Sequence, residues 1–272
     1  MSYALDKTVS KPVTKDVLVA CFKQLGIKKG QLVEVHSSLS SFEYVVGGAR
    51  TIVDALMEVI TEDGTILMPT HVYDNTEPSN WNNPAIEPYL YSSVRRAIPP
   101  YDPNENDALG MGAVVENFRR RQGVVTTAHP SVSYAAWGKY AKLLCNRQSL
   151  HFPLAEESPA ARLYEMKGYV LLIGCEMNKT TCMHLAEYRT DNRPIIINGA
   201  CIDSKNRPRW TSYLDLDTDS DIFMKVKPEL QKKKAIQEIA CSGSHIQFFS
   251  ADVAIDAMIQ YLERNSIYEL YR

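Results

Sequence analysis

The sequence predicts an α/β (α+β) fold, one compact body with a mixed central sheet over residues 1–272. Early in the chain, a strand, a Gly-Gly turn, a strong helix and a second strand follow in the βαβ manner. The same grammar recurs where ARLYEMKG reads as a short helix, YVLLIG as a buried strand and TTCMHLAEYRT as a helix. The C-terminal part is different, with short β-like pieces closed by an amphipathic helix.

Each element has a local reason. In TKDVLVACFKQLG (14–26) apolar residues recur at helical spacing after Thr14, a cap, and before Gly26, a stop. LVEVHSS alternates as a strand ending at His36, and Gly47-Gly48 turns the chain into the helix ARTIVDALMEVI. Residues Gly64 to Pro69 form a second strand that the proline breaks. The stretch from His71 to Asn106 carries Pro78, Pro84, Pro88, Pro99, Pro100, Pro103 and Trp81, and reads as one long loop-rich insertion. A structureless insertion of that length in a compact domain is usually functional. After residue 195 come PIIINGACID, RWTSYLDLD and HIQFFS, then a helix over Asp252 to Arg264. With no repeat and no low-complexity linker, the expected organisation is a single domain with an insertion at about 71–106.

Composition excludes several functions. Across 272 residues, 45% are hydrophobic and 30 basic residues nearly balance 32 acidic ones, for a net charge of −2. Nucleic-acid binding rests on clustered Lys and Arg, and a basic run such as Lys232-Lys233-Lys234 is too short to supply it. No apolar run approaches the ~18 residues needed to cross a bilayer. The segment Met1 to Asp16 has no hydrophobic signal core, so the expected location is cytoplasmic. Six cysteines without any C-x-x-C pair give no zinc-site spacing, and Cys175 and Cys182 are read as small buried thiols.

Three constellations carry chemistry. His36-Ser37-Ser38-Leu39-Ser40-Ser41 follows a strand and precedes a helix, offering hydroxyls and free N–H groups to a phosphate. An ordinary serine-rich turn explains it equally well. His184 and Glu187, three apart, project from one face of a helix, so the carboxylate can orient an imidazole suited to taking a proton from an amine or hydroxyl. Such pairs are more often surface contacts. In the acidic string Asp215 to Asp221, strand alternation puts Asp215, Asp217 and Asp219 on one face, either solvated or facing a cationic ligand. The G-x-S-x-G elbow, the P-loop and the Rossmann fingerprint are absent. The [RQ]-x-x-G-x-[GA] loop of the common acetyltransferase superfamily has its nearest match at Arg120 to Val125 and fails at its last position.

Taken together, VHSSLSSFEYVVGGARTIVDALMEVITEDGTILMPTH, MGAVVENFR, HPSVSYAAWGKYA, EESPAARLYEMKGYVLLIG, TTCMHLAEYR and RWTSYLDLDTDSD resemble the aminoglycoside 3-N-acetyltransferase (antibiotic N-acetyltransferase) family, in order, from about residue 14 to 264. The resemblance implies that family's own fold rather than the common superfamily's. It also implies direct acetyl transfer from acetyl-coenzyme A to an amine of an aminoglycoside. It assigns general-base catalysis to His184 with Glu187, and a supporting carboxylate to Asp215 or Asp217, of which Asp217 is preferred. His36, Ser37, Ser38, Leu39, Ser40, Met111, Gly112 and Phe118 would contact coenzyme A, with backbone N–H groups near Ser37 or Ser38 as oxyanion donors. Asp74, Glu116 and Asp215 would meet the substrate's ammonium groups, and Glu43 adds to the acidic supply. No metal is implied, the partner is a small molecule rather than nucleic acid or membrane, and a homodimer is allowed. Departures from the family pattern fall at Thr180, where Asn is usual, at Asn106 to Gly110, and at Thr126-Thr127. They leave open the 3-amine or a 2′-amine, as in kasugamycin. The alternatives are a coenzyme-A-dependent enzyme acting on another amine in biosynthesis, or a relative that only binds a ligand.

Overall fold

The computed structural model describes residues 8–108, 110–205 and 207–265. Helix α1 (Lys15–Gln24) begins where the Thr14 hydroxyl accepts the Val17 amide at 3.4 Å, and Gly26, at φ 97°, turns the chain away. Strand β1 (Leu32–Ser37) leads through a serine turn to α2 (Ala49–Ile60) and β2 (Thr65–Pro69). The expected insertion holds α3 (Tyr91–Ala97), and α4 (Ala113–Arg119) follows it. Next come β3 (Val125–Thr126), β4 (Tyr134–Gly138), α5 (Ala141–Cys145), α6 (Pro159–Glu165), β5 (Tyr169–Ile173) and α7 (Leu185–Tyr188). The C-terminal part adds β6 (Ile195–Asp203), β7 (Pro208–Leu216), α8 (Lys227–Lys232), β8 (Ile236–Cys241), β9 (Ser244–Ser250) and α9 (Ala251–Arg264).

The central sheet runs β3-β4-β2-β1-β5-β9-β8. Its middle strands β2, β1 and β5 are parallel and the outer pairings antiparallel, so the sheet is mixed. Alternation sorts each strand between two cores. Val33, Val35, Ile66, Met68, Leu171 and Ile173 pack into one with α1, α2 and α4. Leu32, Leu67, Val170 and Leu172 pack into the other with α5, α6, α7 and α9. Glu34 and His36 share β1 with Leu32 at even positions and are both buried. Two polar side chains thus stand where the second core would take apolar ones.

Three expectations about local structure change. The insertion is not structureless: Asn75 exchanges two hydrogen bonds with Cys201 of β6, at 2.9 and 2.7 Å, and Arg95 pairs with Glu77 at 2.5 Å. It is fastened to the β6–β7 hairpin, a separate two-stranded sheet. The segment TTCMHLAEYRT is a 3₁₀ turn, Thr181–His184, running into the four-residue α7 rather than one helix. Cys21 of α1 and Cys241 of β8, 220 residues apart, are joined by a disulfide, a pairing their sequence spacing does not reveal. Among the described residues, no helix is long and apolar enough to cross a membrane.

Candidate active site

A cavity of about 730 Å³ opens at the carboxyl ends of the three parallel strands, where open α/β sheets place their ligands. Each strand sends a different segment into it. From β1 come His36 and the turn Ser37 to Ser40, and from β2 comes His71; Cys175, Asn178 and Lys179 follow β5. Met111 and Gly112 enter from the start of α4, and His184 also lines the cavity. Of the residues expected at coenzyme A, Phe118 alone stays away. It is fully buried in the core beneath α4, because the apolar face of that helix turns towards α2.

The serine turn is rigid. Ser41 Oγ donates to the Ser38 carbonyl at 2.7 Å and shares a hydrogen bond with Ser244 Oγ at 2.8 Å. Gly174, at φ 65°, lets β5 pass so close that an added Cβ would lie 1.8 Å from Ser41 Oγ. The Ser38 amide donates to the Ile173 carbonyl at 2.8 Å, so the oxyanion role expected there meets an N–H already spent. By contrast, the Ser37 hydroxyl is buried without a partner.

His184 ends the 3₁₀ turn, and Glu187 lies three residues on at the same side of the helical path. Its Nδ1 lies 2.5 Å from Glu187 Oε2, and its ring meets Phe223 edge-on at 4.9 Å. Glu187 is wholly buried, a costly place for a carboxylate unless it is paired. Two partners meet that cost on Oε1: the Arg193 guanidinium at 2.6 Å and the Asp219 amide at 2.9 Å. The other imidazole nitrogen, Nε2, has no hydrogen bond among the described residues, and the side chain lines the cavity. Behind it, the end of β1 pins the turn: Glu34 Oε2 accepts the Cys182 amide at 3.3 Å, and His36 Nε2 accepts the Thr181 amide at 3.4 Å.

The remaining expected acids do other work. Asp217 is exposed just past β7 and its amide donates to the Pro194 carbonyl; the carboxylate on His184 is Glu187 instead. The single acidic face also dissolves, because the strand ends at Leu216 and Asp219 caps a following 3₁₀ turn. Asp215 is buried, accepting from the Tyr188 hydroxyl at 2.5 Å and from Asn198 at 3.3 Å, and burial raises its pKa. Glu116 accepts the Ala108 amide at 2.6 Å and pairs with Arg119 and Arg120, holding the loop ahead of α4. Asp74 and Glu43 are exposed and outside the cavity lining. Sequence reasoning passed over Glu34, His71 and Arg193. The one signal was a buried-strand pattern interrupted by Glu34 and His36.

The aminoglycoside 3-N-acetyltransferase family model matches residues 35–263. A relative from Bacillus subtilis (strain 168), the SPbeta prophage-derived aminoglycoside N(3′)-acetyltransferase-like protein YokD, is 37% identical over 246 residues, 90% of each chain. The chain belongs to the aminoglycoside 3-N-acetyltransferase family. It is an enzyme, an acyltransferase of that family. The YokD crystal structure superposes with a TM-score of 0.92 at 35% identity, covering 96% of this chain and 97% of that one. Aminoglycoside acetyltransferase AAC(3)-Xa follows with a TM-score of 0.86 at 27% identity and 94% coverage of both chains. The structure of AAC-IIIb binary with CoASH, 23% identical with a TM-score of 0.83 over 93% of this chain and 97% of that one, shares the fold.

Proposed function

We propose that this acyltransferase moves the acetyl group of acetyl-coenzyme A directly onto an amine of an aminoglycoside, with His184 as general base. The observation that carries this reading is His184 itself, with Nδ1 held by a buried carboxylate and Nε2 left unspent at a cavity wall. A sugar amine is protonated near neutral pH and is a poor nucleophile until its proton leaves. The amine reacts in its neutral form, and a neutral imidazole takes a proton from its nitrogen as that nitrogen bonds to the thioester carbon. Glu187 then stabilises the imidazolium, while Arg193 and the Asp219 amide hold the Glu187 carboxylate in place.

Coenzyme A suits the same cavity. The unpartnered Ser37 hydroxyl and the rigid serine turn offer polar contacts beside apolar Val35, Leu39 and Met111. The bound thioester supplies the activated acyl group. The names of the relatives support an aminoglycoside acceptor.

The test is thiol release from acetyl-coenzyme A with gentamicin, apramycin and kasugamycin in turn, followed by assignment of the acetylated amine by NMR. Acceptor-dependent release is expected, and the product separates 3-amine from 2′-amine transfer. Thiol release with other amines but with no aminoglycoside would replace the aminoglycoside reading with the biosynthetic one.

A further inference from the structure

Two buried polar atoms at the cavity have no partner, the Nε2 of His71 and the Oγ of Ser37. Native structures rarely leave such groups unpaired, because each forfeits the hydrogen bonds that water would have given it. Both stand at the carboxyl ends of adjacent parallel strands, β2 and β1. His71 is held firmly: the Thr70 amide donates to the Ser133 carbonyl at 2.8 Å, and the Val72 amide to the Ser131 carbonyl at 2.9 Å. Its ring meets Tyr134 edge-on at 6.3 Å.

Building on the acetyl-transfer reading, we propose that His71 Nε2–H and Ser37 Oγ–H form the oxyanion hole, donating to the thioester carbonyl oxygen as negative charge develops on it. In the step they assist, the acceptor nitrogen bonds to the carbonyl carbon. The C–S bond breaks with its electron pair on sulfur, the amine proton passes to His184, and that imidazolium returns a proton to the thiolate. Burial, reinforced by His184 and His36, lowers the His71 pKa to about 3, so its ring stays neutral at working pH. A neutral, buried imidazole is a weak base and a fixed donor, matched to an oxyanion and distinct from the job of His184. It also fills the vacancy left by the Ser38 amide, which β5 occupies.

The test combines turnover with the infrared carbonyl band of bound [1-¹³C]acetyl-coenzyme A, read without acceptor. His71→Leu should lower kcat by roughly 10²–10³-fold, as when one oxyanion donor is removed. Its KM for acetyl-coenzyme A should change little, as expected for a contact that strengthens only in the transition state. The carbonyl band should lie at higher wavenumber than in the wild-type complex. His71→Gln, which keeps a donor, should recover most of both, and Ser37→Ala should show a smaller loss in the same direction. Wild-type turnover and an unmoved band in His71→Leu would overturn the assignment. Should that variant fail to fold, Ser37→Ala with wild-type turnover and band position overturns it. If the wild-type enzyme binds acetyl-coenzyme A, gives a shifted band and yet acetylates no amine, the transfer reading falls instead.

Discussion

Two turns in this molecule each hold a histidine, one buried and one at a cavity wall, and they spend its nitrogens differently. In the turn before β4, His129 Nδ1 accepts the Ser131 and Val132 amides at 3.3 and 2.9 Å, while Nε2 donates to the Leu150 carbonyl at 3.2 Å. Every polar position of that ring is used, the ring is neutral, and burial lowers its pKa to about 4. In the turn before α7, His184 spends Nδ1 on Glu187 and keeps Nε2 free at a cavity. The difference teaches that burial and hydrogen bonding do not by themselves mark a working histidine. The mark is a nitrogen left over, backed by a carboxylate that is itself held in place.

The largest effect that could break this contrast lies at His184. His184→Ala should cut kcat by roughly 10²–10⁴-fold, the span of a general-base contribution, while coenzyme A still raises the melting temperature. A variant retaining most of its turnover would make the two histidines alike. Next is Glu187→Gln. Losing the charge leaves Arg193 buried beside a neutral amide, so we expect about 3–5 kcal/mol of lost stability in denaturant melts. The accompanying fall in kcat should be roughly 10–100-fold, typical when a histidine's supporting group is altered.

His129→Gln should act on stability alone. It breaks the bonds that close its turn, costing about 1–3 kcal/mol, with kcat unchanged well below the melting point. Its pH behaviour has a definite sign. An unfolded histidine takes up a proton near 6.5, whereas folded His129 resists until about 4. The stability this residue contributes is complete above pH 6.5 and is lost as pH falls towards 4. Melts of wild type should drop across that window, and those of His129→Gln should drop less. The smallest effect belongs to Asp217→Asn, a change at an exposed side chain expected within ±0.5 kcal/mol. Equal kcat values at low and high salt would confirm that Asp217 does not serve His184.

The central strands and the His184–Glu187 pair were legible because they follow single-period rules. Two residues three apart on a helical path share a face whether the path is α or begins as 3₁₀. The serine turn was legible for the same local reason. What sequence could not reach was set by long-range pairing. The alternation in β1 puts Glu34 and His36 on one face, and only the turn ahead of α7, packed on that face, buries them. The acidic string reads as one face only while the strand is assumed to continue past Leu216. Arg193 and the Asp219 amide reach Glu187 from different segments, and no spacing in the chain announces it.

The central claim, that the free nitrogen of His184 takes the acceptor's proton, is tested most directly by chemical rescue. With His184→Ala, added imidazole should restore acetyl-coenzyme A-dependent thiol release in proportion to its concentration, without restoring anything in Glu187→Gln. No rescue in a His184→Ala protein that still binds coenzyme A, or equal stimulation of both variants, would contradict it.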